Sequence, residues 1–248
     1  MITPLRLAFG LLTKIPISQV SAPTPKAYGH SILYYPLVGL VIGAVLAAVA
    51  LVLEDVDPGL RGALILVVWV WLTGGLHLDG LADVADAWIG GMASRERLLA
   101  ILKDPRSGPG AVVAVVLLLL VKFAALQAIL ASDNGVWWLL SVPMFGRLAI
   151  VYLLLRLDYL REGGMGAEMA ANIPRIPAWI VLAFFAIVPS VLMAGGEIPL
   201  LAVILFLSIF GYKIQKHPGG ITGDFLGAGC ELSEVVYLVA LVLMPMFV

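Results

Sequence analysis

The residues best placed to do chemistry are acids. Asp79, Asp83 and Asp86 stand at i, i+4 and i+7 in the run Gly74-Gly75-Leu76-His77-Leu78-Asp79-Gly80-Leu81-Ala82-Asp83-Val84-Ala85-Asp86. At 3.6 residues per turn they share one face of a helix. Three like charges on one face repel each other unless a cation neutralises them. Oxygen-rich sites of this kind suit Mg²⁺, which takes a few carboxylates and lets substrate phosphates complete its shell. The competing reading makes Asp79 a helix cap and the other two a solvated face. Apolar surroundings next to a hydrophobic segment argue against it, because acids there need a reason. His77 is a candidate general base, a donor that orients another group, or an interfacial histidine without a role.

Two further segments could bind anions. The first reads Lys103-Asp104-Pro105-Arg106-Ser107-Gly108-Pro109-Gly110. Its prolines prevent a continuous helix, and its glycines allow close backbone approach to a ligand. Lys103 and Arg106 supply positive charge, and an Arg fork can grip a phosphate with two hydrogen bonds. Amides at the start of the following helix add to an anion site. Taken alone, a Pro/Gly turn with membrane-anchoring positives explains the segment equally well. The second runs from Pro218 to Glu234 and contains Gly219, Gly220, Thr222, Asp224 and Glu231. A helix opening at Asp224 carries Glu231 on the same face, and Gly227, Ala228 and Gly229 let another helix come close. Here the competing reading is a capped helix start plus a packing motif. Lys122 and Arg147 lie within apolar stretches, where a charge needs a partner or a polar cavity. Each either pairs with an acid or reaches towards substrate.

The elements that position these residues must be membrane helices. Hydrophobic residues make up 62% of the 248, charged residues only 12%. Mean hydropathy is +1.06. A water-soluble globule cannot cover that much apolar side chain. Fifteen Lys and Arg against 16 Asp and Glu leave no basic excess for nucleic acid. A single cysteine, Cys230, excludes an intrachain disulfide framework. Runs of about 20 apolar residues predict an all-α, polytopic bundle of six or seven transmembrane helices. The expected spans are 32–53, 60–77, 110–131, 136–156, 177–194, 199–214 and 231–248. The sixth reads as short. The last, with Pro245 near its end, reads as a possible partial span. Residues 133–134 read as an outer turn. Leu5, Phe9, Leu12 and Ile15 predict an N-terminal amphipathic helix lying on the membrane. The whole chain, 1–248, is read as one integral membrane domain, with 1–30 interfacial and 31–248 the bundle. Twelve of the 15 Lys and Arg fall on one side of this topology. The positive-inside rule makes that side cytoplasmic, and the acids and anion loops share it.

These segments resemble the cobalamin synthase family, the adenosylcobinamide-GDP ribazoletransferases. The resemblance rests on Gly74–Asp86, Lys103–Gly110 and Gly219–Glu231, with Gly10–Pro16 and Tyr35–Gly43 as further matches, in family order over nearly the whole chain. Pro105 and Pro109 stand where the family usually has Ser and Thr, so hydroxyl contacts there are not carried over. The resemblance implies an Mg²⁺-dependent transferase of the prokaryotic inner membrane. It would join adenosylcobinamide-GDP to α-ribazole or its 5′-phosphate and release GMP. Asp79, Asp83 and His77 would act in catalysis, and Asp79, Asp83, Asp86 and Asp224 would hold metal. Lys103, Asp104, Arg106, Ser107, Gly108, Gly219, Gly220, Thr222 and Glu231 would bind substrate. Membrane lipid and a homo-oligomer are the other partners considered. A CDP-alcohol-type lipid phosphotransferase is the alternative, but its pattern places Ala-Arg after Asp-Gly-x-x, where this chain continues to Asp83. A transporter is a further alternative. It should gather its polar groups at mid-membrane rather than on loops of one face.

Overall fold

The computed structural model describes residues 2–18, 20–91, 94–132, 135–193 and 195–244. The chain runs through α1 (Ile2–Leu12), α2 (Pro25–Ser31), a 3₁₀ turn (Ile32–Tyr34), α3 (Tyr35–Val52), α4 (Pro58–Thr73) and α5 (Leu76–Gly91). It continues through α6 (Arg95–Ile101), α7 (Pro109–Leu130), α8 (Gly135–Trp138), α9 (Val142–Arg156) and α10 (Gly164–Ala171). The last three helices are α11 (Arg175–Leu192), α12 (Glu197–Lys216) and α13 (Gly223–Val242). Among the described residues there is no strand, only one isolated bridge between Tyr159 and Ile221. Six segments are long and apolar enough to cross a membrane, or seven with the bent pair α4–α5. The expected all-α bundle is therefore present. α7, α11 and α12 present apolar side chains such as Val113, Leu117, Ile180, Phe184, Leu201 and Leu205 outward, as lipid-facing helices do. α13 instead is packed against α5, α7, α9 and α12.

Three boundaries differ from expectation, each for a physical reason. The span expected to reach residue 77 stops at Thr73, because Gly74 and Gly75 take φ of +66° and +69°. Only glycine enters that region without strain. α5 then leaves at 90° to α4, so His77 opens a new helix instead of closing a span. The final span, expected to start at 231, starts at Gly223. The helix anticipated at Asp224 is thus continuous with that span, and its small residues form the helix contact expected of them. A Cβ on Gly80 would lie 2.8 Å from the Asp224 carbonyl oxygen, and one on Gly227 3.2 Å from the His77 backbone. The third is α12, expected to be short, which runs for 20 residues. Pro245 and the turn expected at 133–134 lie outside the described residues. The N-terminal helix forms, but it ends at Leu12 and packs Ala8 and Leu12 into the bundle. The Lys14 amide then bonds the Leu72 carbonyl at 2.7 Å, tying this segment to the end of α4.

The buried charges find each other. Lys122 Nζ of α7 donates to Glu231 Oε2 at 2.6 Å and to Glu234 Oε2 at 2.5 Å, both on α13. Arg147 of α9 donates to Glu234 Oε1. Lys122 also lies 4.4 Å from the ring centre of Trp69 on α4, a cation–π contact. All four ionic side chains are buried and their formal charges sum to zero. The choice left open for Lys122 and Arg147 thus resolves to pairing with acids.

Removing one partner of a buried pair strands the other, at a cost of roughly 3–5 kcal/mol. Lys122→Met should therefore lower the unfolding midpoint in detergent sharply. The double variant Lys122→Met/Glu231→Gln, which restores neutrality, should recover part of the loss. Equal stability of wild type and the single variant would contradict a structural role for the cluster.

Candidate active site

The acidic face of α5 forms as the spacing requires, but its members have different fates. Asp79 is exposed at the first turn, and Asp83 is partly buried one turn on. The α5–α13 contact brings Asp224 near them. Burial, and then the charges of Asp224 and Asp79, push the Asp83 carboxyl up to about 6, with Arg161 opposing. Asp86 points elsewhere. Its Oδ2 accepts from the Gly108 amide at 2.5 Å and its Oδ1 from the Ala111 amide at 2.9 Å. It therefore caps α7 from a neighbouring helix, satisfying amides that the helix start leaves without partners. A Cβ on Gly108 or Gly110 would come within 2.8 Å of Asp86 Oδ1. The glycines of this loop thus have a structural reason independent of any ligand. Both Asp86 oxygens thus accept backbone amides, a capping role that the sequence did not anticipate alongside the metal-binding one expected of it.

The basic loop is held at both ends and open between. Arg106 lays its fork on Asp104, at 2.9 Å and 2.7 Å, and its side chain is otherwise exposed. The guanidinium and the Arg106 amide hold Asp104 down to about 2. Lys103 and Ser107 are also exposed. At the far side of the site, residues 158–161 run beside 220–222. The Leu160 amide bonds the Ile221 carbonyl, and the Ile221 amide bonds the Asp158 carbonyl, both at 2.8 Å. This pairing carries Arg161 to Asp224, whose Oδ2 accepts from Nη2 at 2.6 Å and from Thr222 Oγ1 at 3.0 Å. The same Arg161 nitrogen donates to the Leu102 carbonyl at 3.1 Å. One side chain therefore joins the 102–108 loop, the 157–163 segment and the start of α13. Sequence reasoning counted Arg161 only as a positive charge at the membrane. Nothing in its neighbours Leu160 and Glu162 marks it, and only the tertiary pairing does.

Of the expected substrate residues, Gly219, Gly220 and Thr222 lie in the segment that pairs with 158–160. Glu231 does not join them: it is committed to Lys122 inside the bundle. His77 is buried, with its Nδ1 unpartnered, and lines a cavity together with Asp79 and Asp224.

Among the described residues, no three His, Cys, Asp or Glu side chains converge as a metal cage. The residues fit a sparser arrangement. Neither Asp79 nor Asp83 has an ion-pair partner among the described residues, and Asp83 is raised first by burial and then by the neighbouring charges of Asp224 and Asp79. Mg²⁺ is commonly held by one or two carboxylates with substrate phosphates supplying the remaining ligands. Chemically, the arrangement offers two free carboxylates, a guanidinium fork and a lysine at one end of the bundle.

Known proteins resemble this chain along nearly its whole length. The family model described as cobalamin-5-phosphate synthase matches residues 4–242. An adenosylcobinamide-GDP ribazoletransferase of Pseudomonas fluorescens (strain Pf0-1) is 47% identical over 97% of this chain and 99% of its own length. Another of the same name, from Stutzerimonas stutzeri (strain A1501), is 47% identical over 97% and 98%. One from Acinetobacter baumannii is 38% identical over 95% of both chains. No solved structure matches the chain. With a family match that takes in every helix of the bundle and relatives alike from end to end, the chain belongs to the cobalamin-5-phosphate synthase family.

Proposed function

We propose that this protein transfers the adenosylcobinamide-phosphate group from adenosylcobinamide-GDP to α-ribazole or its 5′-phosphate. GMP leaves, and the product is adenosylcobalamin or its 5′-phosphate, completing the nucleotide loop. The observation that carries this reading is the near full-length likeness to relatives bearing that name. The gathering of Asp79, Asp83, Asp224, Arg161 and the 102–108 loop at one end of the bundle supports it.

In this reaction a ribose hydroxyl oxygen bonds to the β-phosphorus, the β-phosphorus to bridging-oxygen bond breaks, and the hydroxyl proton passes to a base. Such transfer depends mostly on positioning and charge stabilisation. Arg106 and Lys103 would take the diphosphate oxygens. To do so, Arg106 exchanges Asp104 for phosphate, a substitution of one bidentate acceptor for another. Ser107, the Gly108 region and the 219–222 segment would flank the substrate. Arg161 keeps Asp224 and the basic loop in register. Mg²⁺, held by Asp79 and Asp83, would supply neutralisation of the phosphate charge. The acidic end faces the cytoplasm of a prokaryotic inner membrane in this reading, consistent with the side carrying most Lys and Arg.

Three expectations follow from these assignments. Asp83→Asn should fold normally and lose roughly 100-fold or more in kcat/KM, about 2.7 kcal/mol. Its residual activity should need more Mg²⁺. Asp86→Asn should instead lower stability by about 1 kcal/mol through the weakened cap and leave the Mg²⁺ titration in place. Matching metal dependence in both variants would refute this division of roles. Arg106→Ala should cost roughly 30- to 1,000-fold in kcat/KM, with only partial rescue by Lys. Near-normal turnover would remove Arg106 from the site. Finally, Ser94→Cys should resist impermeant thiol reagents in intact cells and react in inverted vesicles, with Asp57→Cys behaving oppositely. The native Cys230 is buried and silent in this assay. Labelling of both from one side would reverse the orientation.

A further inference from the structure

A cavity of about 220 Å³ lies beneath α1, between α3, α5, α9, α10 and α13. Its walls are apolar, with Leu11 from α1, Ile150 from α9 and Met169 from α10 among them. Its polar end is formed by Asp79 and Asp224, which belong to the acidic group described above. His77 also lines it. That imidazole is 5% exposed, and its Nδ1 has no hydrogen-bond partner. The unpartnered Nδ1 is enclosed by protein, so it is the small exposed remainder of the ring that faces the cavity. The cavity is smaller than the roughly 300–1,000 Å³ of sites that enclose drug-sized ligands. It therefore admits one ring system and not a corrin macrocycle. Guanine needs polar partners along its edge, and most of this lining is apolar, the exceptions being Tyr35, His77, Asp79, Tyr159 and Asp224.

We propose that this cavity is the subsite for the base of the acceptor riboside, and that it selects a flat, largely apolar heteroaromatic ring whose edge nitrogen meets His77. The inference rests on the transfer reaction proposed above. A base seated between Leu11 and Ile150 directs its attached sugar to the end where Asp79 and Asp224 stand. That end is where the attacking hydroxyl is needed. The unbranched thioether of Met169 adapts to rings of differing outline. α1 then has a purpose beyond contact with the membrane: it roofs a substrate subsite.

The experiment uses the full chain in detergent with Mg²⁺ and two readouts. The first is equilibrium binding of free benzimidazole, which does not depend on turnover. The second is the KM for ribosides of benzimidazole, adenine and imidazole, alongside the KM for adenosylcobinamide-GDP. Ile150→Phe narrows the cavity from α9, and Leu11→Phe narrows it from α1 should the first variant fold poorly. The expected result is benzimidazole binding weakened at least tenfold. The benzimidazole riboside KM should rise by a similar factor and the imidazole riboside KM by less than twofold, with the donor KM within twofold of wild type. His77→Phe should reduce discrimination between benzimidazole and a carbocyclic ring of equal size. A rise in donor KM with acceptor KM unchanged would assign the cavity to guanine and overturn the proposal. Benzimidazole binding indifferent to both narrowing variants, or a fall in kcat alone, would also overturn it. Retained, variant-sensitive benzimidazole binding without product from any riboside would sink the transfer reaction while leaving the subsite standing.

Discussion

The architecture depends on neutralising charge inside an apolar bundle. Lys122, Arg147, Glu231 and Glu234 come from three helices and balance one another where water cannot. Any one alone would be expensive at that depth. Together they bind α7 and α9 to α13 at a common level, with Trp69 of α4 closing over the lysine. The hydrophobic effect does not drive helices together once they are within lipid, so packing and polar contacts must supply specificity. Here the ion cluster fixes the register of α13 along its neighbours. Because Glu231 and Glu234 are locked, Asp224 and Gly227 are placed two turns away in a defined orientation.

That orientation determines where chemistry can occur. Gly80 and Gly227 let α5 approach α13 at backbone distance, and the α5 acids thereby come under the influence of Asp224. Arg161 then relieves part of the resulting repulsion and draws the 102–108 loop in through the Leu102 carbonyl. Structural and functional polar groups are thus layered along one helix. The inner layer is buried and balanced in charge, whereas the outer layer keeps Asp79 and Asp83 without ion-pair partners and within reach of solvent.

Much of this was legible in the sequence because the signals were local. Apolar runs, the i, i+4, i+7 acids and the Pro/Gly punctuation of residues 103–110 carry their meaning within a few residues. Pairing across long separations was not legible. Arg161 reaching Asp224, Asp86 capping α7 and Glu231 joining Lys122 each link segments tens to more than a hundred residues apart. The extent of the last span was underestimated for a related reason, since the helix read from Asp224 was not joined to it. Glycine lowers helix propensity locally, and only the partner helix explains why a helix forms there. Asp86 is the clearest case: its spacing was read correctly as one face with Asp79 and Asp83, yet its hydrogen bonds go to another helix.

The two clamps on the basic loop set a limit on its mechanical reach. Leu102 is held through its carbonyl by Arg161, and Gly108 through its amide by Asp86. Between these pins run only the residues from Lys103 to Ser107. At about 3.6 Å per extended residue, the tip of such a segment can stray no more than about 11 Å from either anchor. Its backbone cannot fold over a bulky ligand as a long hinged flap would. It behaves as a short bracket, displaying Lys103 and Arg106 at a nearly constant height above α5. A diphosphate must travel to the bracket, and only the long side chains adjust to meet it.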